Sequence, residues 1–458
     1  MKIAVIGGGP GGYEAAIYAA KCGAEVTLIE KEKVGGTCLN RGCIPTKALL
    51  ASSDKLSTVL GVKKFGIQVN GEVSADFSCI MQRKSKVVQG LVNGVQFLLQ
   101  SNKVSLINGF GKLKDKNTIE VEKADGNIEE VKADKIILAT GSIPVVPEFL
   151  KYDGKRVITS DEALELENIP ASMIIVGGGV IGCEIGQFLK KMGTEVTIVE
   201  MMPHILPSED PDVAKQLEKQ FRKDKIKVHA GDGILEVNVE ENSVKVLLQS
   251  GKELEAEYLL VSVGRKPYTE GLSLEDMGVE RDNRGRVSVN EHLQTKVENI
   301  YAIGDIIDTP FLAHVASKEG LIAVDNALGS NKKVSYKAVP RCVYTYPEIA
   351  AVGLTEEQLK TKNREYATGI FNFVGLGKAK AAEETEGFVK VIVDKEDKLL
   401  GAAIVGSHAT DMMQVLTLAI ELGLTAETVG DSIFPHPTMS EAIMEALHDV
   451  HKKSIHKA

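Results

Sequence analysis

Ile3-Ala-Val-Ile6-Gly7-Gly-Gly9-Pro-Gly-Gly12 and, with its glycines 170 residues later, Ile174-Ile-Val176-Gly177-Gly-Gly179-Val-Ile-Gly182 are two copies of one signal. Each joins an apolar strand to a helix through a G-x-G-x-x-G turn. The likeness extends beyond the glycines, because Gly7 to Glu30 aligns without a gap on Gly177 to Glu200 with 11 of 24 positions identical. Each copy continues through a second strand, Val26-Thr-Leu-Ile29 or Val196-Thr-Ile-Val199, to an acid, Glu30 or Glu200, 23 residues after its first glycine. Every position has a mechanical reason. The first glycine (Gly7, Gly177) makes the tight turn, the second (Gly9, Gly179) lets a pyrophosphate approach the backbone, and the third (Gly12, Gly182) lets helix pack on strand. The phosphates meet free N–H groups at the positive end of the helix dipole, and the acid reaches the ribose hydroxyls. One such turn is weak evidence. Two, each with its strand, helix and acid, predict an α/β chain with two Rossmann-like dinucleotide-binding domains.

A chain of 458 residues is too long for one core and suggests three or four units. Its net charge of -9 argues against nucleic acid. No apolar run approaches the ~18 residues of a membrane helix. The opening Met1-Lys2 leads straight into a strand, so no targeting peptide and a cytoplasmic protein are expected. Cys22, Cys79, Cys183 and Cys342 are scattered without framework spacing, as reduced cytosolic cysteines are. Cys38 and Cys43 differ, standing in Gly35-Gly36-Thr-Cys38-Leu-Asn-Arg-Gly-Cys43-Ile-Pro45-Thr-Lys47 just after the first acid. In an ideal helix residues five apart lie roughly 8 to 9 Å apart at Cα, beyond the ~7 Å reach of a disulfide, and Gly42 is the residue that would supply a distortion. A redox disulfide beside a cofactor, two unrelated buried thiols and a metal site are the open readings. Metal-binding pairs usually sit two to four residues apart and need a second pair, so no metal is expected.

The same run resembles the redox-active disulfide motif of the pyridine nucleotide disulfide oxidoreductases, and the likeness continues from Lys2 to about Leu447. The resemblance implies that Cys38 and Cys43 cycle between disulfide and dithiol, with Cys38 meeting the substrate and Cys43 nearer the cofactor. Whatever exchanges electrons with that pair must bind the copy that carries it. FAD suits this place, since a flavin passes electrons between hydride and dithiol, and the second copy is left for the nicotinamide. Glu200 accepts from both ribose hydroxyls and repels a 2′-phosphate, and no Arg or Lys follows in Met201 to Pro207, so NAD is expected over NADP.

Further residues take roles by resemblance alone. Thr140 and Gly141 would close the first half of the FAD site, Asp305 would bind the ribityl chain, and Ala313-His314 would lie near the pyrimidine side of the flavin. Gly264, in Gly264-Arg265-Lys266-Pro267, marks the exit from the NAD domain. Lys47 and Glu184 match an ion pair near flavin and nicotinamide. Read without the resemblance, Asp305 is a turn residue, His314 a structural histidine, and Lys47 and Glu184 helix-surface charges. In Phe434-Pro435-His436-Pro437-Thr438-Met-Ser-Glu441, two prolines stiffen the backbone of His436, which suits an imidazole presented at fixed geometry. Thr438-x-x-Glu441 before an apolar run also reads as a capping box. The resemblance makes His436 the base for the dithiol substrate and Glu441 the carboxylate that orients it. It also implies a homodimer in which His436 reaches the disulfide of the other subunit.

The expected layout is an FAD-binding domain with the redox disulfide over 1–143 and an NAD-binding domain over 144–264, entered through Pro144, Pro147 and Asp153-Gly154. A central domain over 265–337 completes the FAD site, and an α+β dimer-interface domain spans 338–458, opening with Pro340 to Glu348. The polar stretch Lys112 to Asp134 alternates like a hairpin around Asp125-Gly126, and the basic tail Lys452 to Ala458 is expected to fray. The implied reaction oxidises dihydrolipoyl groups to lipoyl with reduction of NAD. With no lipoyl domain before Lys2, the partner is expected to be a separate lipoyl-bearing protein of a 2-oxoacid dehydrogenase complex or the glycine cleavage system. The alternatives are another NAD(P)H-dependent flavoprotein disulfide reductase or a non-enzymatic flavoprotein partner. Against other disulfide reductases stand the missing basic residues after Glu200 and the last cysteine falling at Cys342. Arg41 stands where the family pattern has a small residue.

Overall fold

A computed structural model describes residues 1–457, and its chain folds as two compact units, each assembled from separated stretches. The first comprises Met1–Pro147, Thr159–Asn168 and Val263–Val334; the second comprises Glu148–Ile158, Ile169–Ser262 and the chain from Ser335 onward.

In the first unit, Lys2–Ile6 is the centre of a five-stranded parallel sheet in the order Ile300–Ala302, Lys135–Leu138, Lys2–Ile6, Glu25–Glu30, Ser105–Asn108. A parallel sheet covered on both faces needs near-continuous apolar strands, and Ile3, Val5, Ile6, Leu28, Ile136, Ile137 and Leu138 are accordingly buried. Helices Pro10–Lys21 and Ala313–Ala327 meet through small residues. A Cβ on Gly11 would lie 2.9 Å from the Ala316 carbonyl oxygen, and one on Gly320 would lie 2.6 Å from that of Gly11. Matching Gly11 to Ala316 and Ala15 to Gly320 makes the helices parallel. Both N-termini therefore open at the same end of the sheet. The expected hairpin is part of a three-stranded antiparallel sheet of Phe110–Asp115, Thr118–Glu122 and Ile128–Lys132, with Asp125-Gly126 at its second turn.

The second unit repeats the scheme. Its parallel sheet runs Lys227–Ala230, Glu195–Glu200, Ser172–Val176, Tyr258–Val261, Val157–Ile158. An antiparallel trio, Ile234–Val239, Val244–Leu248 and Glu253–Ala256, precedes the strand Tyr258–Val261, just as the first trio precedes Lys135–Leu138. The internal repeat therefore continues well past the two acids. The unit ends in a five-stranded antiparallel sheet ordered Arg341–Val343, Ile349–Gly353, Leu399–Val405, Phe388–Val393, Ala367–Asn372, packed against helices Ala409–Leu422 and Glu441–Val450.

The tail expected to fray is docked instead. Ser454 Oγ and Ile455 N donate to Glu445 Oε2 at 2.6 and 2.9 Å, His456 Nδ1 lies 2.6 Å from Glu445 Oε1, and Lys457 Nζ lies 2.6 Å from Asp449. Glu445 and Asp449 are buried on the last helix, and buried carboxylates require partners, which the tail supplies. Ala458 lies outside the described residues. Among the described residues, no helix is long and apolar enough to cross a membrane.

Candidate active site

The two glycine turns are built alike. Gly7 and Gly177 have φ of 106° and 100°, a region that glycine enters freely. A Cβ on Gly12 would lie 1.8 Å from the Gly7 carbonyl oxygen, and one on Gly182 would lie 2.2 Å from that of Gly177. The middle glycine is different: a Cβ on Gly179 meets no protein atom within 4 Å, and one on Gly9 meets only the Gly36 Cα at 3.9 Å. Protein packing therefore does not demand glycine there; a ligand seated on the helix N-terminus does. Glu30 accepts from Gly8 N at 2.6 Å and Glu32 N at 2.7 Å, while Glu200 accepts from Gly178 N at 2.7 Å and Met202 N at 2.8 Å. Burial pushes the Glu30 carboxyl upward against these N–H bonds. Each carboxylate oxygen keeps a further lone pair for a ribose hydroxyl. An open helix terminus with a clamped acid beside it fits an adenine dinucleotide in both copies.

Around the first turn, Thr140 Oγ1 donates to the Tyr268 carbonyl at 2.6 Å and Gly141 has φ 73°. Asp305 sits in the turn Gly304–Ile306 and accepts from Ser142 Oγ. Arg265 donates to that same Ser142 through Nε at 2.8 Å and through Nη2 to its carbonyl at 2.7 Å. Burial pushes the Asp305 carboxyl up and the Arg265 guanidinium down. Sequence reasoning missed Ser142 and Arg265 as site residues, although each directly follows a predicted one, Gly141 or Gly264. They meet because Ser142–Pro144 pairs with Arg265–Pro267. It also missed Glu319, which is fully buried and accepts from Gly304 N at 2.6 Å, fixing the turn that carries Asp305. Gly264 has φ 128° and accepts from Val145 N at 2.9 Å; Ala313 opens its helix, with the exposed His314 next.

The cysteine turn sits directly on the first glycine turn. Gly35 N donates to the Gly8 carbonyl at 2.7 Å, and a Cβ on Gly36 would come within 2.6 Å of the Gly9 Cα. One helix, Gly36–Arg41, ends at Gly42, and a second, Cys43–Gly61, begins, so the distortion expected at Gly42 is a full break with φ -145° and ψ -112°. The Cys38 and Cys43 thiols are hydrogen-bonded to each other. That bond first, then burial, then the charge of Cys43 push the Cys38 thiol far above its ordinary range, while half-buried Lys47 opposes them. Arg41 is tied to Glu32 and lies 3.7 Å from Asp161. A Cβ on Gly42 would lie 2.9 Å from the Thr37 carbonyl oxygen, so Gly42→Ala forces the turn to move. It is expected to slow dithiol oxidation by about tenfold or more, since small misplacements of reacting groups cost that much. Mass spectrometry that still finds the Cys38–Cys43 disulfide formed at the native rate would show that the break is not what joins them.

In the second unit, Glu184 is buried, not a helix-surface charge, and its Oε1 accepts from Tyr344 N at 2.9 Å. His436 Nδ1 lies 2.8 Å from Glu441 Oε1, while Glu441 Oε2 accepts from Thr438 N at 2.8 Å. Only this half of the expected capping box forms. The helix begins at Glu441 after Ser440, and Thr438 Oγ1 turns to the Pro435 carbonyl at 2.7 Å. Burial works against the Glu441 charge, but the bonds from His436 and Thr438 outweigh it and hold the carboxyl below its usual range. The imidazole is 79% exposed, so Nε2 is free to meet a substrate brought from outside this chain.

Residues 1–320 match the pyridine nucleotide-disulphide oxidoreductase family, and residues 339–447 match its dimerisation domain. The chain is 42% identical to a dihydrolipoyl dehydrogenase of Bacillus subtilis over 99% of this chain and 98% of that protein. It is 41% identical to the mitochondrial dihydrolipoyl dehydrogenase of Dictyostelium discoideum over 100% and 95%. The crystal structure of LpdA from Mycobacterium tuberculosis superposes with a TM-score of 0.92 at 28% identity, covering 98% of this chain and 99% of that one. The HOCl-induced flavoprotein disulfide reductase RclA from Escherichia coli gives 0.87 at 29%, covering 98% and 99%.

Proposed function

The chain belongs to the pyridine nucleotide-disulphide oxidoreductases, and on that footing we propose that it is a dihydrolipoyl dehydrogenase acting on lipoyl groups carried by a separate protein. It is an oxidoreductase that uses FAD and NAD. The observation that carries the reading is the seat of the Cys38–Cys43 turn on the first glycine turn, through Gly35 N to the Gly8 carbonyl. Gly7, Gly9, Gly12 and Glu30, with Thr140, Gly141, Asp305, Ala313 and His314, would hold FAD, which would supply the electron transfer between dithiol and nicotinamide that the side chains cannot. Gly177, Gly179, Gly182, Glu200 and Gly264 hold NAD, with Lys47 serving beside the flavin and Glu184 beside the nicotinamide.

His436 takes the proton of one substrate thiol, and Glu441 stabilises the imidazolium that results. The substrate thiolate attacks Cys38 Sγ, forming a mixed disulfide and releasing Cys43 as a thiolate. The second substrate thiol attacks the substrate sulfur bound to Cys38, and its proton passes to the departing Cys38, which leaves as a thiol. That closes the lipoyl disulfide and releases Cys38, so two electrons have passed from substrate to the Cys38/Cys43 pair. Serving as base from a domain matched to dimerisation, His436 acts on the partner subunit's disulfide in a homodimer, so each site is built from two chains. We assign 1–143 to FAD binding, 144–264 to NAD binding, 265–337 to completing the FAD site and 338–458 to the dimer interface. The protein works in the cytoplasm, and its partner belongs to a 2-oxoacid dehydrogenase complex or the glycine cleavage system.

The purified protein should reduce NAD with dihydrolipoamide and give little reduction of NADP. Glu200→Arg, exchanging a hydroxyl acceptor for a phosphate partner, should raise the NADP-to-NAD ratio of kcat/KM by at least roughly tenfold. Failure of dihydrolipoamide to reduce NAD removes the substrate assignment, and an unchanged ratio removes Glu200 from the nucleotide site.

A further inference from the structure

Lys390 lies in the strand Phe388–Val393, and its side chain is 1% exposed. Its Nζ reaches Asp210 Oδ2 at 2.8 Å, the two oxygens of Asp212 at 2.9 and 2.8 Å, and Glu356 Oε1 at 3.0 Å. Asp210 also accepts from the backbone N of Glu356 and Glu357 at 3.2 and 3.4 Å. One residue upstream, the buried Glu209 is gripped by Arg341 through Nε at 2.8 Å and Nη2 at 3.0 Å. Burial opposes a charge on Lys390, but its hydrogen bonds to Asp210 and Asp212 outweigh it and keep the amine protonated. Two cations of the C-terminal sheet thus hold Glu209, Asp210 and Asp212. None of the five takes part in the reaction described above.

Upstream of this pin the chain runs back to the nucleotide acid. Leu206 is buried with φ 51°, a left-handed conformation that a branched side chain holds only where its surroundings over-determine it. Leu206 N donates to the Gly178 carbonyl at 2.8 Å, and Glu209 N donates to the Leu206 carbonyl at 2.9 Å. Ile205 packs on the glycine turn so closely that a Cβ on Gly178 would lie 2.8 Å from its Cγ2. Gly178 N in turn donates to Glu200. A continuous series of contacts therefore joins the clamped acid, the left-handed Leu206 and the buried Lys390.

We propose that Arg341 and Lys390 are positioning residues for NAD: by gripping Glu209, Asp210 and Asp212 they hold the Leu206 loop against Gly178 and so fix the Glu200 carboxylate for the adenosine ribose. This rests on the reading that the second glycine turn binds NAD. The test compares steady-state kinetics and melting of the FAD-loaded enzyme in three variants. Glu209→Gln weakens the grip of Arg341, whose guanidinium keeps partial access to water and the Gly353 carbonyl as an acceptor. It should raise the KM for NAD about tenfold while leaving kcat, the KM for dihydrolipoamide and FAD content near wild type. Lys390→Gln should raise the KM for NAD further and lower the melting temperature, because it leaves buried carboxylates without their cation. Gly179→Ala, whose methyl obstructs the helix N-terminus, is the control for the nucleotide site itself. If Gly179→Ala raises the KM for NAD and Glu209→Gln does not, whatever its melting temperature, the positioning role is overturned. If Gly179→Ala leaves that KM unchanged, the NAD assignment falls instead.

Discussion

Cys43→Ser is expected to abolish NAD reduction by dihydrolipoamide, by a factor on the order of 10³ or more, because the residue that must leave as a thiolate is gone. Cys38→Ser should be equally inactive, since the sulfur that receives the substrate is lost. The two failures should look different. With FAD bound, Cys38→Ser retains Cys43, the sulfur assigned to the flavin side, and its thiolate should give a long-wavelength absorption band. Cys43→Ser retains only Cys38 and should show no such band. Identical spectra for both variants would reverse or erase the order assigned to the two sulfurs. The hydrogen bond between the thiols, burial and the charge of Cys43 all push the Cys38 thiol upward.

His436→Ala should lose roughly 10²- to 10⁴-fold in kcat, the usual cost of a general base. Its pairing with Cys43→Ser makes the larger test. Each variant alone is nearly inactive, but a mixed dimer carries one site with both residues intact if His436 serves the opposite subunit. Random mixing in equal amounts makes half the dimers mixed, each with one good site of two, so about a quarter of wild-type activity should return. Were His436 to serve its own chain, every mixed dimer would lack one residue at each site, and activity would stay at the level of the single variants.

What the sequence disclosed was the part of the molecule written in short range. The glycine turns and the break at Gly42 depend on residues within a few positions of one another, and each acid stands at a fixed 23 residues from its first glycine, so spacing and residue type expose them. The meeting of Arg265 with Ser142 and Asp305 depends on pairing between strands more than 120 residues apart, and no local pattern encodes it. The same holds for Glu319, buried beneath the turn of Asp305, and for the burial of Glu184, whose partner Tyr344 lies 160 residues away in the chain. The tail was misread for a related reason. Its basic, polar composition predicts disorder, but its order comes from Glu445 and Asp449, which would otherwise be buried carboxylates short of partners.

Glu30 and Glu200 are clamped alike, each by the N–H of the residue after its first glycine and by the N–H two residues beyond itself. Because the two modules share this clamp, neither the glycines nor the acid distinguishes a flavin from a nicotinamide. What differs is the chain departing from the acid: a thiol-bearing turn follows Glu32 in one module, and a loop with Leu206 left-handed follows Met202 in the other. An engineer seeking to change which redox partner a module accepts would therefore transplant that departing segment and leave the fingerprint alone.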